Sequence, residues 1–171
     1  MANIDLYFPK LLRYEGGFVN DPLDNGGATN KGVTIAVYKK MGYDNDQDGD
    51  IDVADLKLMT DIQGKAICKK LFWDKWQADK IVSQSLAESL VEWIWGSGSC
   101  GIKIPQQLLG LKDDGVVGDK TLAAVNAQDP KVFHEQLRQR KLKFIDNIIK
   151  SNPSQKRFEK GWKRRINEFV F

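Results

Sequence analysis

The sequence predicts a mainly α-helical fold. Apolar residues recur at helical spacing along most of the chain, strand-like alternation is scarce, and chain rich in Gly, Asn and Asp is concentrated in residues 16–32. The first helix spans Ile4–Tyr14, with Leu6, Leu11, Leu12 and Tyr14 in step and Pro9 tolerable only near the start. It stops at Glu15, before Gly16-Gly17. Residues 16–32 form a structured loop or small hairpin. Helices over Thr34–Met41 and Val53–Trp73 flank an acidic loop. Ser85–Trp95 is apolar on most sides, the pattern of a buried helix, and Gly96-Ser97-Gly98-Ser99 after it marks a boundary between two halves. Beyond it come a short helix near Gln106–Leu109, a turn at Asp113–Gly118 and a helix over Asp119–Asn126. A long helix opens at Pro130 and runs to about Lys150, and a last one follows Pro153 with Phe158, Trp162, Ile166 and Phe169 on one face.

Composition narrows the function. A chain of 171 residues, 42% hydrophobic and 29% charged, suits one compact unit or a domain with a small appendage. The expected division is residues 1–96 and residues 97–171, packed together. Neither the charged N-terminal segment nor any other stretch is a signal peptide or a membrane span, so the protein is expected to be made in the cytoplasm and to act after release or non-standard export. Cys68 and Cys100 make no metal pattern; they are two free thiols or, alternatively, one disulfide. The single histidine, His134, lies in a charged helical stretch, reads as a surface or packing residue, and argues against a zinc peptidase. Residues 131–171 carry 12 basic against 4 acidic residues, a balance of +8. That end suits an anionic polymer, cell wall or nucleic acid, or is simply a solvated basic face.

The densest chemistry is in Glu15–Thr34, EGGFVNDPLDNGGATNKGVT. Glycoside hydrolysis needs a protonated carboxylic acid at the leaving oxygen and a second carboxylate or a positioned water across the sugar. Glu15 ends a helix, where the carbonyl-rich terminus disfavours a negative charge, as suits a proton donor. Asp21 and Asp24 on the following loop are candidates for the second carboxylate, and Thr29 or Thr34 for holding the water. The same residue types would also serve an ordinary acidic turn at Asp21-Pro22 and Asp24-Asn25-Gly26.

The pattern E-G-G-F-x-N-D-P-x-D-x-G-G-x-T-x-x-G-V-T closely resembles the opening signature of glycoside hydrolase family 108, lysozyme-like muramidases found in phage endolysins and in proteins labelled secretion activators. The resemblance implies a lysozyme-like helical fold, Glu15 as catalytic acid and Asp24, nine residues on, in preference to Asp21 as second carboxylate, with Thr29 following fourteen after Glu15. Trp73-Asp74-x-Trp76 resembles the family's aromatic stretch. Glu92-Trp93-Ile94-Trp95-Gly96 departs from its Asp-x-Ala-Val-Asn pattern; Trp93 and Trp95 either stack on sugar rings as substrate-binding residues or belong to the core. The second half, through Gln107-Leu108-x-Gly110, Asp114-Gly115-x-x-Gly118-x-x-Thr121 and Phe158-x-x-Gly161-Trp162-x-x-Arg165, resembles the predicted peptidoglycan-binding module accompanying this family. Peptidoglycan is therefore the expected partner and nucleic acid is not, while the oligomeric state is unassigned. The alternative to a muramidase is a wall-binding or secretion-assisting protein without turnover.

Asp44 to Asp55 fits the twelve-residue calcium loop of EF-hands and dockerins. Asp44, Asp46 and Asp48 stand at positions 1, 3 and 5, Gly49 at the sharp turn, Asp50 at the backbone-carbonyl position and Asp55 at position 12, in place of the usual glutamate. Six aspartates in twelve residues repel one another without a cation, so a structural Ca2+ is expected. A single loop argues against a calmodulin-like switch.

Overall fold

The computed structural model describes residues 1–20 and 27–168. The chain is mainly α-helical, with one two-stranded sheet among the described residues, and it divides into two compact units, residues 4–71 and residues 1–3 with 72–171.

In the first unit, α1 (Ile4–Glu15) buries Ile4, Tyr7, Phe8 and Leu11, the i, i+3, i+4, i+7 stripe of an amphipathic helix. Strands β1 (Thr29–Asn30) and β2 (Val33–Thr34) form an antiparallel hairpin in which Thr29 faces Thr34 and Asn30 faces Val33. The next helix is shorter than its pattern suggests: α2 covers Ile35–Tyr38, with the Thr34 hydroxyl accepting from the Val37 amide at 3.3 Å as its N-cap. The single helix expected over Val53–Trp73 is also broken. It consists of α3 (Val53–Lys57), α4 (Asp61–Cys68) and a π-helical turn over Lys69–Trp73. The break has a local cause. The Thr60 hydroxyl accepts from the Gln63 amide at 3.2 Å and the Gln63 side chain accepts from the Thr60 amide at 3.0 Å, a capping box that starts a new helix.

In the second unit, the Ala2 amide donates to the Ile81 carbonyl at 2.8 Å and the Asn3 amide to the Gln84 side chain at 2.7 Å, tying down the N-terminus. Helix α5 (Gln84–Ser97) is capped by Ser83, extends past the expected end at Trp95, and stops at Gly98, whose φ is +57°. Every residue from Leu86 to Ile94 is buried. It packs against α6 (Cys100–Leu108) and α8 (Pro130–Ser151). The α5–α6 crossing is so close that a Cβ on Gly101 would lie 2.6 Å from the Trp93 carbonyl carbon. The buried Gln106 side chain organises the Asp114-Gly115 turn, donating to the Val116 carbonyl at 2.9 Å and accepting from the Gly115 amide at 2.9 Å. Helix α7 (Asp119–Asn126) follows, and Asp129 caps α8 by accepting from the Val132 amide at 2.8 Å. Helix α9 (Lys156–Glu168) lies on α8, held by Lys163, which bonds Asp146 at 2.6 Å and Glu159 at 2.7 Å. Phe169, expected on its apolar face, lies outside the described residues. No described helix is long and apolar enough to cross a membrane.

Candidate active site

Glu15 is the last residue of α1, and Gly16, with φ of +64°, turns the chain out of the helix. Three residues after Gly16, Val19 pairs with Thr29 through two backbone hydrogen bonds of 2.8 Å, bringing the chain after Glu15 alongside the hairpin. The hairpin turns through Lys31 and Gly32, both at positive φ (+50° and +76°), the two-residue turn whose twist suits paired strands. Gly32 is required twice. Its φ belongs to the left-handed region, and a Cβ there would lie 2.5 Å from Glu15 Cδ and 2.7 Å from Cγ. The Glu15 carboxyl therefore rests directly on the backbone of the turn.

The hairpin is itself anchored. Asn30 is 4% exposed and donates to the Leu56 carbonyl at 2.8 Å and the Lys57 carbonyl at 3.3 Å, satisfying the end of α3. Lys31 donates to the Met59 carbonyl at 3.3 Å and pairs with Asp61 at the start of α4. Below the site lies the buried Cys68 thiol, pushed up to about 12 first by burial and then by the negative charge of Glu15. Asn30, Lys31, Gly32 and Cys68 were not singled out from sequence. The signal was there for three of them: Asn-Lys-Gly between Thr and Val is a tight hairpin between β-branched residues. Cys68 carries no such signal, because its proximity to Glu15 is tertiary.

Thr29 and Thr34 face one another across the hairpin. The Thr29 hydroxyl reaches the Gly27 carbonyl at 3.4 Å, and that of Thr34 caps α2. Asp21 and Asp24 lie outside the described residues. Trp93 and Trp95 belong to the second unit. Trp93 is 4% exposed and meets Phe144 edge-on at 6.4 Å, while half-buried Trp95 packs at 4.5 Å on Phe72. Cys68 and Cys100 are both free thiols, and His134 is a buried packing residue, its pKa lowered by burial.

In the acidic loop the carboxylates of Asp44, Asp46 and Asp48 lie within 4.8 Å of one another, and those of Asp50, Asp52 and Asp55 form a second such group. Gly49 makes the turn at φ of +94°. Asp44 accepts from the Gln47 and Gly49 amides at 2.7 and 3.1 Å. Asp55 is buried and accepts from the amides of Asn45, Asp46 and Asp52 at 2.5, 3.2 and 2.8 Å, so it fastens the start of the loop to its end. Those amides, Asp52 foremost, hold its carboxyl below the ordinary value. The carboxyl of Asp46 is raised by desolvation and that of Asp50 by the charge of Asp48.

A family model described as Glycosyl hydrolase 108 matches residues 8–98, and one described as Predicted Peptidoglycan domain matches residues 100–167. Among solved structures, the chain is similar to SagA of Brucella abortus, with a TM-score of 0.81 and 27% identity over 97% of this chain and 90% of that one. No curated protein matches it. The fold is lysozyme-like and helical, and the predicted peptidoglycan domain supports peptidoglycan as the partner. The first model spans more than half of the chain and contains the glutamate seated on its hairpin, and the protein belongs to the glycosyl hydrolase 108 family.

Proposed function

We propose that this chain hydrolyses the β-1,4 bond that follows N-acetylmuramic acid in peptidoglycan glycan, with Glu15 as general acid. The observation that carries the proposal is the seating of the Glu15 carboxyl on Gly32, at the junction of a helix end and a small hairpin, in a member of a glycosidase family. Glu15 gives its proton to the leaving oxygen, and a second carboxylate stabilises the oxocarbenium-like sugar or activates water. Asp24 is the preferred second carboxylate and Asp21 the alternative, on spacing alone. A water can be held between the facing threonines, since a hydroxyl that accepts a cap bond, as in Thr34, keeps its own proton to donate.

The test is Glu15→Gln, which preserves shape and removes the transferable proton. Turnover of purified peptidoglycan, followed by mass spectrometry of released fragments, is expected to fall about 10²-fold or more, with wall binding intact. Wild-type turnover in this variant overturns the mechanism. Binding without any turnover in the wild type leaves the non-catalytic, secretion-assisting reading in its place.

Loop 44–55 is proposed to bind one structural Ca2+ through Asp44, Asp46, Asp48 and Asp50, with Asp55 closing the loop. Support comes from the crowded carboxylates and from the raised carboxyls of Asp46 and Asp50, which show like-charge repulsion and desolvation that a divalent cation relieves. Calcium at a hundredfold excess over its Kd is expected to stabilise the fold by about 2.7 kcal/mol. Identical melting curves in calcium and in chelator overturn this assignment.

A further inference from the structure

Within the second unit, between α5, α8 and α9, lies a cavity of about 300 Å³. Such a volume stands at the lower end of ligand pockets, roughly 300–1,000 Å³. Trp93, Phe144 and Trp162 supply its aromatic walls, and Glu92, Lys141 and Arg165 its charges.

Lys141 is the unusual member. It is 6% exposed, and its ammonium donates to the Ser89 carbonyl at 2.7 Å and the Ser89 hydroxyl at 2.9 Å, with the Trp93 ring 5.6 Å away. An ammonium has three protons to donate, and these contacts supply two oxygen acceptors, both neutral. Among the described residues no carboxylate lies within ion-pair distance of Lys141. The nearby Glu92 pairs instead with Arg165. The three charges on the cavity wall sum to one net positive charge, and a buried ammonium held only by neutral oxygens favours an anion beside it.

We propose that this cavity binds a short peptide carrying a free carboxylate and small apolar side chains, the chemistry of the stem peptides on peptidoglycan glycan, with the carboxylate against Lys141 and the alkyl groups against Trp93 and Trp162. The proposal rests on the wall-binding reading of the chain. A neutral amino sugar suits the cavity less well. It brings no charge to Lys141. Burial holds the Lys141 ammonium down to about 8, so near neutral pH it is still mainly charged and available to a carboxylate.

The test is a titration of the full chain, isotopically labelled, with a synthetic stem tetrapeptide bearing free carboxylates and with its carboxamide counterpart, monitored at the indole N–H signals. Saturable shifts at Trp93 and Trp162 are expected with the acid, and at least tenfold weaker binding with the amide. Lys141→Met is expected to weaken binding of the acid at least tenfold. Gly96→Leu gives a second route that leaves every charge in place. Gly96 lines the cavity, and a Cβ there meets no heavy atom within 4 Å, so the larger side chain occupies open space at the wall and blocks the peptide. Equal binding of acid and amide, or no saturable shift at these two rings, overturns the proposal. Cosedimentation with intact walls and with glycan stripped of its peptides separates the two readings. Binding to intact walls that is undiminished in both variants removes the cavity's role and keeps wall binding. Failure to bind either polymer removes the wall-binding reading itself, and the peptide titration still decides the cavity.

Discussion

Gly32 is the residue on which the geometry of the candidate acid depends. Gly32→Ala puts a methyl group where the Glu15 side chain lies and forces it on a residue at φ of +76°. The variant is expected to lose most turnover while remaining folded, because a half-buried turn at the end of a hairpin can shift where a fully packed core cannot; unchanged turnover on purified wall would show that the contact is incidental. A second prediction concerns Lys141, lowered from 10.5 to about 8 by burial first, with the charge of Glu92 opposing and that of Arg165 reinforcing. His134 on the same helix, Glu92 from α5 and Arg165 from α9 are the other titratable or charged groups around it. The folded value lies below the unfolded one. Between about pH 8 and 10.5 the unfolded chain therefore binds more protons, and the native state gains stability as pH rises. The melting temperature of Lys141→Met minus that of wild type is expected to fall across this interval. A difference that does not change with pH contradicts the desolvation of Lys141.

At the scale of elements, helix ends were written more locally than helix lengths. Asp119–Asn126 begins and ends where its pattern predicts, and Pro130 opens α8 as the fixed φ of a first-turn proline allows. The break between α3 and α4 was equally local, in Thr60-x-x-Gln63, but the apolar period across it is continuous enough to conceal the capping box. The α5–α6 crossing was not legible at all. Gly101 looks like any glycine near a helix start, and only the packed structure puts it against the Trp93 and Ile94 backbone. Gly101→Ala is expected to destabilise the fold by about 1–3 kcal/mol, because the clash is with backbone that cannot rotate away. Denaturant unfolding measures this, and a change below about 0.5 kcal/mol would mean the helices separate freely. In the acidic loop, the raised carboxyl of Asp46 must lose its proton to ligate a cation, and the raised carboxyl of Asp50, which is set to ligate through its backbone carbonyl, adds its charge only when ionised. Calcium affinity by calorimetry is expected to fall as pH falls toward the carboxylate range, and a pH-independent affinity would exclude these ligands.

For the whole molecule, the family boundary and the packing boundary differ. The family models change over between residues 98 and 100, close to the glycine-serine run, whereas the compact units change over at residues 71 and 72. Helix α5 makes the difference. A helix buried on every side from Leu86 to Ile94 needs neighbours on every side, and α6 and α8 provide them. Residues 97–171 alone are expected to unfold without cooperativity, since α6 and α8 lose the helix they cover. Adding back residues 72–96 is expected to restore a cooperative transition by circular dichroism. A sharp transition in the shorter fragment would show that α5 is dispensable.

The sequence by itself determined the helical class, the family signature around Glu15 and most helix starts, because caps, turns and amphipathic stripes act over a few neighbouring residues. It did not reveal what rests on what. That the Glu15 carboxyl lies on Gly32, that Asn30 closes the end of α3, that Cys68 feels the charge of Glu15, and that Lys141 lines a cavity with Trp93 and Trp162 are all contacts between residues far apart in the chain. Such contacts are set by how buried faces pack at near-crystalline density, a condition on the assembled core that no local stretch encodes.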